Sequence, residues 1–225
     1  MHIDKEHYTE VVNDYDVLAD KVVMRNEELH QAILNEIKFE VGAGLNVLDL
    51  GCGTGHGMGL ILDRFPNAYV TGVDFSQEMI LAARQKLSSF KERFDLIETD
   101  LVNFETDKTF DVIISAVTIH NLPHEEKALI FRKIYSLLNK DGIFVNGDFI
   151  EGENKETNDL IKKEYREYLE ANLSGEMLKK WLKHAFEEDA PMKFSEQTEL
   201  LKRIGFKKVN QAWQYSNELV YVAEK

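Results

Sequence analysis

Asn46-Val47-Leu48-Asp49-Leu50-Gly51-Cys52-Gly53-Thr54-Gly55 is a short apolar strand that runs straight into a turn with glycine at every second position. Glycine has no side chain and tolerates φ > 0, so a ligand can approach the backbone of such a turn closely. A helix starting just beyond it aims free N–H groups and the positive end of its dipole at that ligand. Acids stand at the ends of the next two strand-like segments, Asp74 and Asp100. Together these features call for a nucleotide-like ligand.

The details narrow the choice. The dinucleotide pattern G-x-G-x-x-G fails in every frame, because His56 or Met58 occupies its last position. The phosphate-binding loop fails too, since no Gly-Lys-Ser/Thr follows. What stands is Asp-x-Gly-x-Gly-x-Gly with Asp49 in front and no lysine or arginine in the turn. A turn flanked by acid suits a cationic or zwitterionic ligand better than pyrophosphate. Asp74 lies 23 residues beyond Gly51, where an acid can accept both hydroxyls of a ribose. Asp100 is placed to accept the exocyclic amine of adenine. Each acid alone is also an ordinary turn or helix-capping residue; their order at three successive strand ends favours adenosine.

Outward from the turn, strands and helices alternate to about residue 150. Val47–Leu50, Tyr69–Val73, Phe94–Glu98, Val112–Ser115 and Ile143–Asn146 read as strands. Met58–Phe65, a helix capped by Ser76 and running to about Phe90, and a helix opened by Pro123 and stopped by Asp141-Gly142 read as the connections. Such repeats imply an α/β fold with a mainly parallel sheet covered on both faces. Lys207–Gln214 and Glu218–Ala223 are joined too closely for a crossover and form an antiparallel hairpin, giving seven strands. Residues 1–40 read as an N-terminal helical cap. Residues 153–190 read as two amphipathic helices around Ser174-Gly175, inserted after the fifth strand. Packing against the sheet is the plainer role for the insertion; a lid over a substrate pocket is the sharper one.

The 225 residues suit a single α/β domain spanning 1–225. With 44% apolar and 30% charged residues the composition is that of a globular protein. No apolar run reaches the ~20 residues of a membrane span, and the N-terminus lacks a signal-peptide core. The lone Cys52 excludes an intrachain disulfide or cysteine zinc site. A cytoplasmic protein with no membrane partner is expected. The net charge of −13 disfavours broad nucleic-acid binding, with Lys193, Lys202, Arg203, Lys207 and Lys208 as one local basic candidate.

On these motifs the chain resembles the class I S-adenosylmethionine-dependent methyltransferases. Asp49–Gly55 looks like the family's first motif, which holds the methionine part of the cofactor S-adenosyl-L-methionine through Asp49, Gly51, Cys52, Gly53 and Gly55. Val73-Asp74-Phe75-Ser76 looks like the second, with Asp74 on the ribose, Phe75 beside adenine and Met79 as a further apolar wall. Thr99-Asp100-Leu101 looks like the third, with Asp100 on the adenine amine. Phe110–Ala116 looks like the fourth strand, whose end, Ser115 and Ala116, faces the sulfonium. The resemblance implies a Rossmann-like three-layer αβα sandwich, with Tyr15 of a Tyr15-Asp16 pair near the methionine end.

Methyl transfer is an in-line displacement governed by positioning, and a base is needed only where the acceptor must lose a proton. His120, just after the fourth strand, is the candidate base, against a structural or cofactor-contact role. His124 reads as an exposed helix start, and His184 as a surface or core residue unless it lines an acceptor pocket. No metal is expected, because the fourth-strand end carries no acid. A small-molecule acceptor is the leading reading, with the protein a monomer or homodimer. Two alternatives stand beside it. One is transfer to tRNA wobble uridine from carboxy-S-adenosylmethionine, for which Arg166 is the insertion's only arginine. The other is a non-catalytic cofactor-binding module.

Overall fold

The computed structural model describes residues 15–225, so the helical expectation for residues 1–14 lies outside the described residues. Helices α1 (Tyr15–Val22) and α2 (Asn26–Glu36) precede the sheet. Then come β1 (Asn46–Leu50), α3 (His56–Arg64), β2 (Tyr69–Asp74), α4 (Gln77–Lys86), β3 (Phe94–Glu98), β4 (Phe110–Ala116), α5 (His124–Leu137) and β5 (Leu138–Glu151). The insertion is α6 (Lys155–Asn172) and α7 (Gly175–Lys183). A two-residue β6 (Met192–Lys193), α8 (Phe194–Ile204), β7 (Lys208–Tyr215) and β8 (Glu218–Glu224) complete the chain.

The strand order is β3-β2-β1-β4-β5-β8-β7, with β6 beside the end of β5. β1 to β5 pair in parallel; β8 is antiparallel to both β5 and β7. The expected seven strands and closing hairpin are present, and β6 is a small addition. The order reverses between β1 and β4, and ligands of open α/β sheets bind beyond the strand ends at such a point.

Val47, Val70, Val112 and Ile113 are wholly buried, as central parallel strands covered on both faces must be. One apolar core joins Val47, Val70 and Val112 to α2, α3 and α4 through Leu29, Ile33, Met58, Ile61 and Ala83. The opposite core holds Ile130, Phe131 and Ile134 of α5 and Leu201 of α8. A third gathers Leu18 and Val22 of α1, Phe149 of β5, Tyr165 and Leu169 of α6 and Trp181 of α7. That third core is a roof beyond the strand ends.

Some boundaries differ from the sequence reading, for physical reasons. Asp141-Gly142 does not stop α5; the helix ends at Leu137 and β5 begins at once. Leu138 pairs with Phe110 and Ile143 with Val112, so a bulge absorbs the residues between, with Asp141 at φ 64. Ser76 does cap α4, its Oγ accepting Met79 N–H at 3.2 Å, but the helix stops at Lys86. In the insertion, Asn154 and Thr157 form a reciprocal capping box that starts α6.

Candidate active site

The glycine turn is built by three residues with positive φ: Gly51 at 77, Gly53 at 50 and Gly55 at 80. Gly51 N–H and Cys52 N–H both donate to Val73 O, at 2.8 and 3.0 Å, pinning the turn to the end of β2. Asp74 closes it from the side, accepting Gly53 N–H and Ser76 N–H at 2.9 Å each. A Cβ at Gly51 would lie 2.3 Å from the Thr118 side chain. That position therefore needs glycine twice over, for conformation and for space.

Two hollows meet over this turn and share Tyr15, Gly51, Gly53, Ala116 and Val117. The first is walled by Asp74, Phe75, Met79, Asp100 and Leu101. The second takes in Asp49 and Cys52 and extends to His120 under the roof. The structure thus gathers most residues of the sequence motifs around one cleft. Two it does not bring there. Ser115 is wholly buried and donates its Oγ–H to Leu50 O at 2.9 Å, tying β4 to β1. Alternation along the strand turns Ala116, its neighbour, to the cleft instead. Gly55 faces inward, with Ala83 and Leu87 packed against it, where it lets α3 start.

Asp49 is 3% exposed, and its side-chain carboxylate accepts no hydrogen bond among the described residues. Burial, with the charge of Asp74 added, pushes its carboxyl up to about 7. A buried carboxylate in that condition is a receptor for a cation. Asp74 is also raised by burial, although its amide partners pull the other way. Asp100 accepts Val102 N–H at 2.9 Å and keeps its second oxygen for another donor.

Helix α1 is fastened to the turn. Asp16 accepts Thr54 Oγ1–H at 2.6 Å and Lys86 Nζ–H at 2.5 Å, and Lys86 also donates to Thr54 Oγ1 at 2.8 Å. This sets Tyr15 over the turn, where burial first, then Asp74 and Asp16, hold its phenol well above the ordinary range. The elbow between α1 and α2 is held by Glu218, wholly buried, which accepts Met24 N–H and, at 3.0 Å, Arg25 N–H.

His120 sits where the roof meets β5. Asp148 grips it twice, accepting its backbone N–H at 2.9 Å and its Nδ1–H at 2.6 Å. The far ring nitrogen, Nε2, lies 3.7 Å from Asp189 Oδ2. Lys127 Nζ donates to the carbonyls of His120, Leu122 and Ala190 and fixes the segment from behind. Burial opposes charge on the imidazole, but Asp148 and Asp189 outweigh it, and His120 titrates above the usual histidine range. His184, read from sequence as a surface or core residue, is buried and lines the hollow edge-on to Trp181, ring centroids 5.4 Å apart. His124 is exposed at the start of α5, as its flanking Pro123 and Glu125 imply.

Sequence reasoning missed Asp148, Asp189 and Val117. Val117, a β-branched residue held at φ 50 at the end of β4, borders both hollows. Backbone strain of this kind gathers at functional sites. Arg166 lies away from the cleft, exposed and stacked on Phe186 at 4.7 Å. Of the basic candidates, Lys193, Lys207 and Lys208 each face an acid, Glu196, Asp141 and Glu224, at 4.0, 3.8 and 3.2 Å. Among the described residues no group of histidine, cysteine and acid side chains is arranged to hold a metal ion, and no helix is long and apolar enough to cross a membrane.

Residues 47–142 match the family described as Methyltransferase domain. The chain is 24% identical over 217 residues to a carboxy-S-adenosyl-L-methionine synthase of Nautilia profundicola, covering 96% of this chain and 92% of that protein. It is 33% identical over 143 residues to an uncharacterized methyltransferase of Bacillus cytotoxicus, covering 64% of this chain and 62% of that one. An O-methyltransferase family protein from Burkholderia thailandensis superposes with a TM-score of 0.72 at 15% identity, over 98% of this chain and 61% of its own. The chain therefore spans about three-fifths of the length of these last two. The matched domain and the strand order agree: residues 47–142 carry a methyltransferase domain on a Rossmann-like sheet, similar to that of the class I S-adenosylmethionine-dependent methyltransferases.

Proposed function

We propose that the protein transfers a methyl group from S-adenosylmethionine to a small-molecule acceptor held beneath the roof. The observation that carries this reading is Asp49, a buried carboxylate without a protein hydrogen bond among the described residues, in line with Asp74 and Asp100 around one cleft. These residues fit the cofactor. Asp49 would receive its ammonium, Asp74 its ribose hydroxyls and Asp100 its adenine amine. Phe75 and Met79 would flank the base, while Gly51 and Gly53 leave the backbone open to the amino-acid part. When bound, S-adenosylmethionine supplies a methyl group already activated on a sulfonium.

The chain's own work is positioning and exclusion of water. Tyr15 and the fastened α1 cover one side, Ala116 and Val117 floor the junction, and Phe149, Tyr165 and Trp181 form an apolar roof above the acceptor space. His120 is the candidate to take a proton from the acceptor. The insertion acts as the acceptor's lid in this reading, within a single domain. Calorimetry with S-adenosylmethionine and its demethylated product, then a screen of small thiols, amines, hydroxyl compounds and carboxylates for methylation, tests it. Tight cofactor binding with persistent inactivity favours the non-catalytic module.

A second reading has one observation in its favour: the similarity to the carboxy-S-adenosylmethionine synthase runs nearly end to end. Against it, no lysine or arginine among the described residues lines either hollow to receive an added carboxylate. Mass spectrometry of the nucleoside that copurifies distinguishes them. Finding only S-adenosylmethionine or its demethylated product removes the carboxylated cofactor.

A further inference from the structure

We propose that Asp189, His184 and Glu188 form a relay that carries the acceptor's proton from His120 to the protein surface, so that the acceptor is a hydroxyl or ammonium compound rather than one without a proton to lose. This rests on the methyl-transfer reading of the cleft.

The groups alternate base and acid along an outward path. Asp189 lies between the two rings, Oδ2 3.7 Å from His120 Nε2 and Oδ1 3.4 Å from His184 Nε2. The other nitrogen of His184, Nδ1, faces Glu188 Oε2 at 3.4 Å. Side-chain exposure rises step by step, 3% at His120, 7% at Asp189, 10% at His184 and 30% at Glu188, so the path leads from the sealed interior to water. A five-residue π turn, His184–Glu188, follows α7 and folds Glu188 back over the His184 ring. Such wide turns recur at functional sites. These separations shorten to hydrogen bonds as a site closes, since catalytic contacts are commonly loose before substrate binds.

The neighbouring ionisable groups do not compete for the proton. Asp148 is committed to the inner nitrogen and backbone N–H of His120. Lys127 spends its ammonium on three carbonyls. Tyr165, beside Asp189, is held protonated by burial. Lys183 pairs with Glu188 at 2.5 Å and stabilises the outer carboxylate.

The steps balance. A histidine hydrogen-bonded to one carboxylate and facing a second at 3.7 Å is drawn toward the imidazolium, and in that form it must discharge before it can act as a base. Its Nε2–H bond breaks as an O–H bond forms on Asp189 Oδ2. Rotation of that carboxyl delivers the proton to the lone pair of His184 Nε2. The resulting His184 imidazolium releases its Nδ1 proton to Glu188 and water, and return of the ring to its first tautomer closes the cycle. His120 Nε2 then holds a lone pair. The acceptor's X–H bond breaks toward it, the bonding electrons staying on X as the nucleophile.

The test uses the full-length protein saturated with S-adenosylhomocysteine and follows solvent exchange of the His120 Nε2–H by nitrogen-15 NMR. Asp189→Asn and His184→Phe should each slow that exchange by about tenfold or more, as expected when a proton carrier is removed. Electrostatics alone works oppositely at Asp189, because loss of the carboxylate acidifies the imidazolium and speeds exchange. Unaltered S-adenosylhomocysteine affinity reports that each variant is folded. Unchanged or faster exchange in either variant overturns the relay, including the case in which the proton leaves through the separate hollow that His120 and Asp189 also border. Failure of the unaltered protein to bind S-adenosylhomocysteine instead removes the methyl-transfer reading, and the relay with it.

Discussion

Binding of S-adenosylmethionine should expel a proton from Asp49. In the free protein burial and Asp74 lift this carboxyl to about 7. The sign follows directly: an acid with a raised value holds a proton near neutrality, and a cationic partner drives that proton off. At pH 6 a group titrating near 7 is ~0.9 protonated and at pH 8 only ~0.1, so ~0.9 and ~0.1 protons leave on binding. Apparent affinity should rise about tenfold per pH unit below 7 and flatten above. Calorimetry at pH 6 in buffers of different ionisation enthalpy measures the release. Asp49→Asn should abolish most of it and weaken binding at pH 8 by about 1.5–3 kcal/mol, the usual worth of a charge-assisted hydrogen bond. What Asp74 adds remains in the variant and is read there. Binding heat at pH 6 that does not depend on buffer would refute the placement of an ammonium at Asp49.

Two further outcomes follow from the same geometry. Gly51→Ala should lower stability by roughly 2–4 kcal/mol in urea unfolding and abolish cofactor binding, because a Cβ there combines a left-handed backbone with overlap on Thr118; a shift below ~0.5 kcal/mol would mean that the turn is looser than its contacts indicate. Glu218, lifted to about 7 chiefly by burial, favours folding while protonated, a contribution complete below its unfolded value near 4.5 and lost as pH climbs through 7. Between pH 5 and 8 the unaltered protein should therefore lose about 2–3 kcal/mol more than Glu218→Gln, which keeps one of the two acceptor oxygens and has no titration. Parallel pH profiles in urea unfolding would sink this account.

The sheet and the glycine-turn end of the cleft were legible because they are local. The backbone demands of Gly51 and Gly53, and acids directly after β2 and β3, are fixed by neighbours in sequence. The Ser115 assignment failed on strand alternation, since one residue decides which side chain turns to the cleft. The α5 boundary failed because pairing with β4 outweighed the turn tendency of Asp141-Gly142. Around His120 the contacts join distant segments. Asp148 does leave a trace, an acid within an apolar strand that must find a partner. Asp189 leaves none, because Glu187-Glu188-Asp189 has the look of a solvated acidic run, until the chain leaving the π turn tucks the Asp189 side chain inward, 7% exposed.

The roof core deserves separation from the two sheet cores in one respect. Leu18, Phe149, Tyr165, Leu169 and Trp181 pack chiefly on one another. Of these, Tyr165, Leu169 and Trp181 stand on the inserted helices and take no part in strand pairing or in the glycine turn. The family match spans residues 47–142, which hold the glycine turn, Asp74 and Asp100, and nearly all of the roof lies outside that range. On the proposed function, such a division would make acceptor choice an exchangeable trait: a lineage could trade α6 and α7 for other helices and acquire a new substrate, while α1, fastened to the glycine turn, stays with the methyl donor.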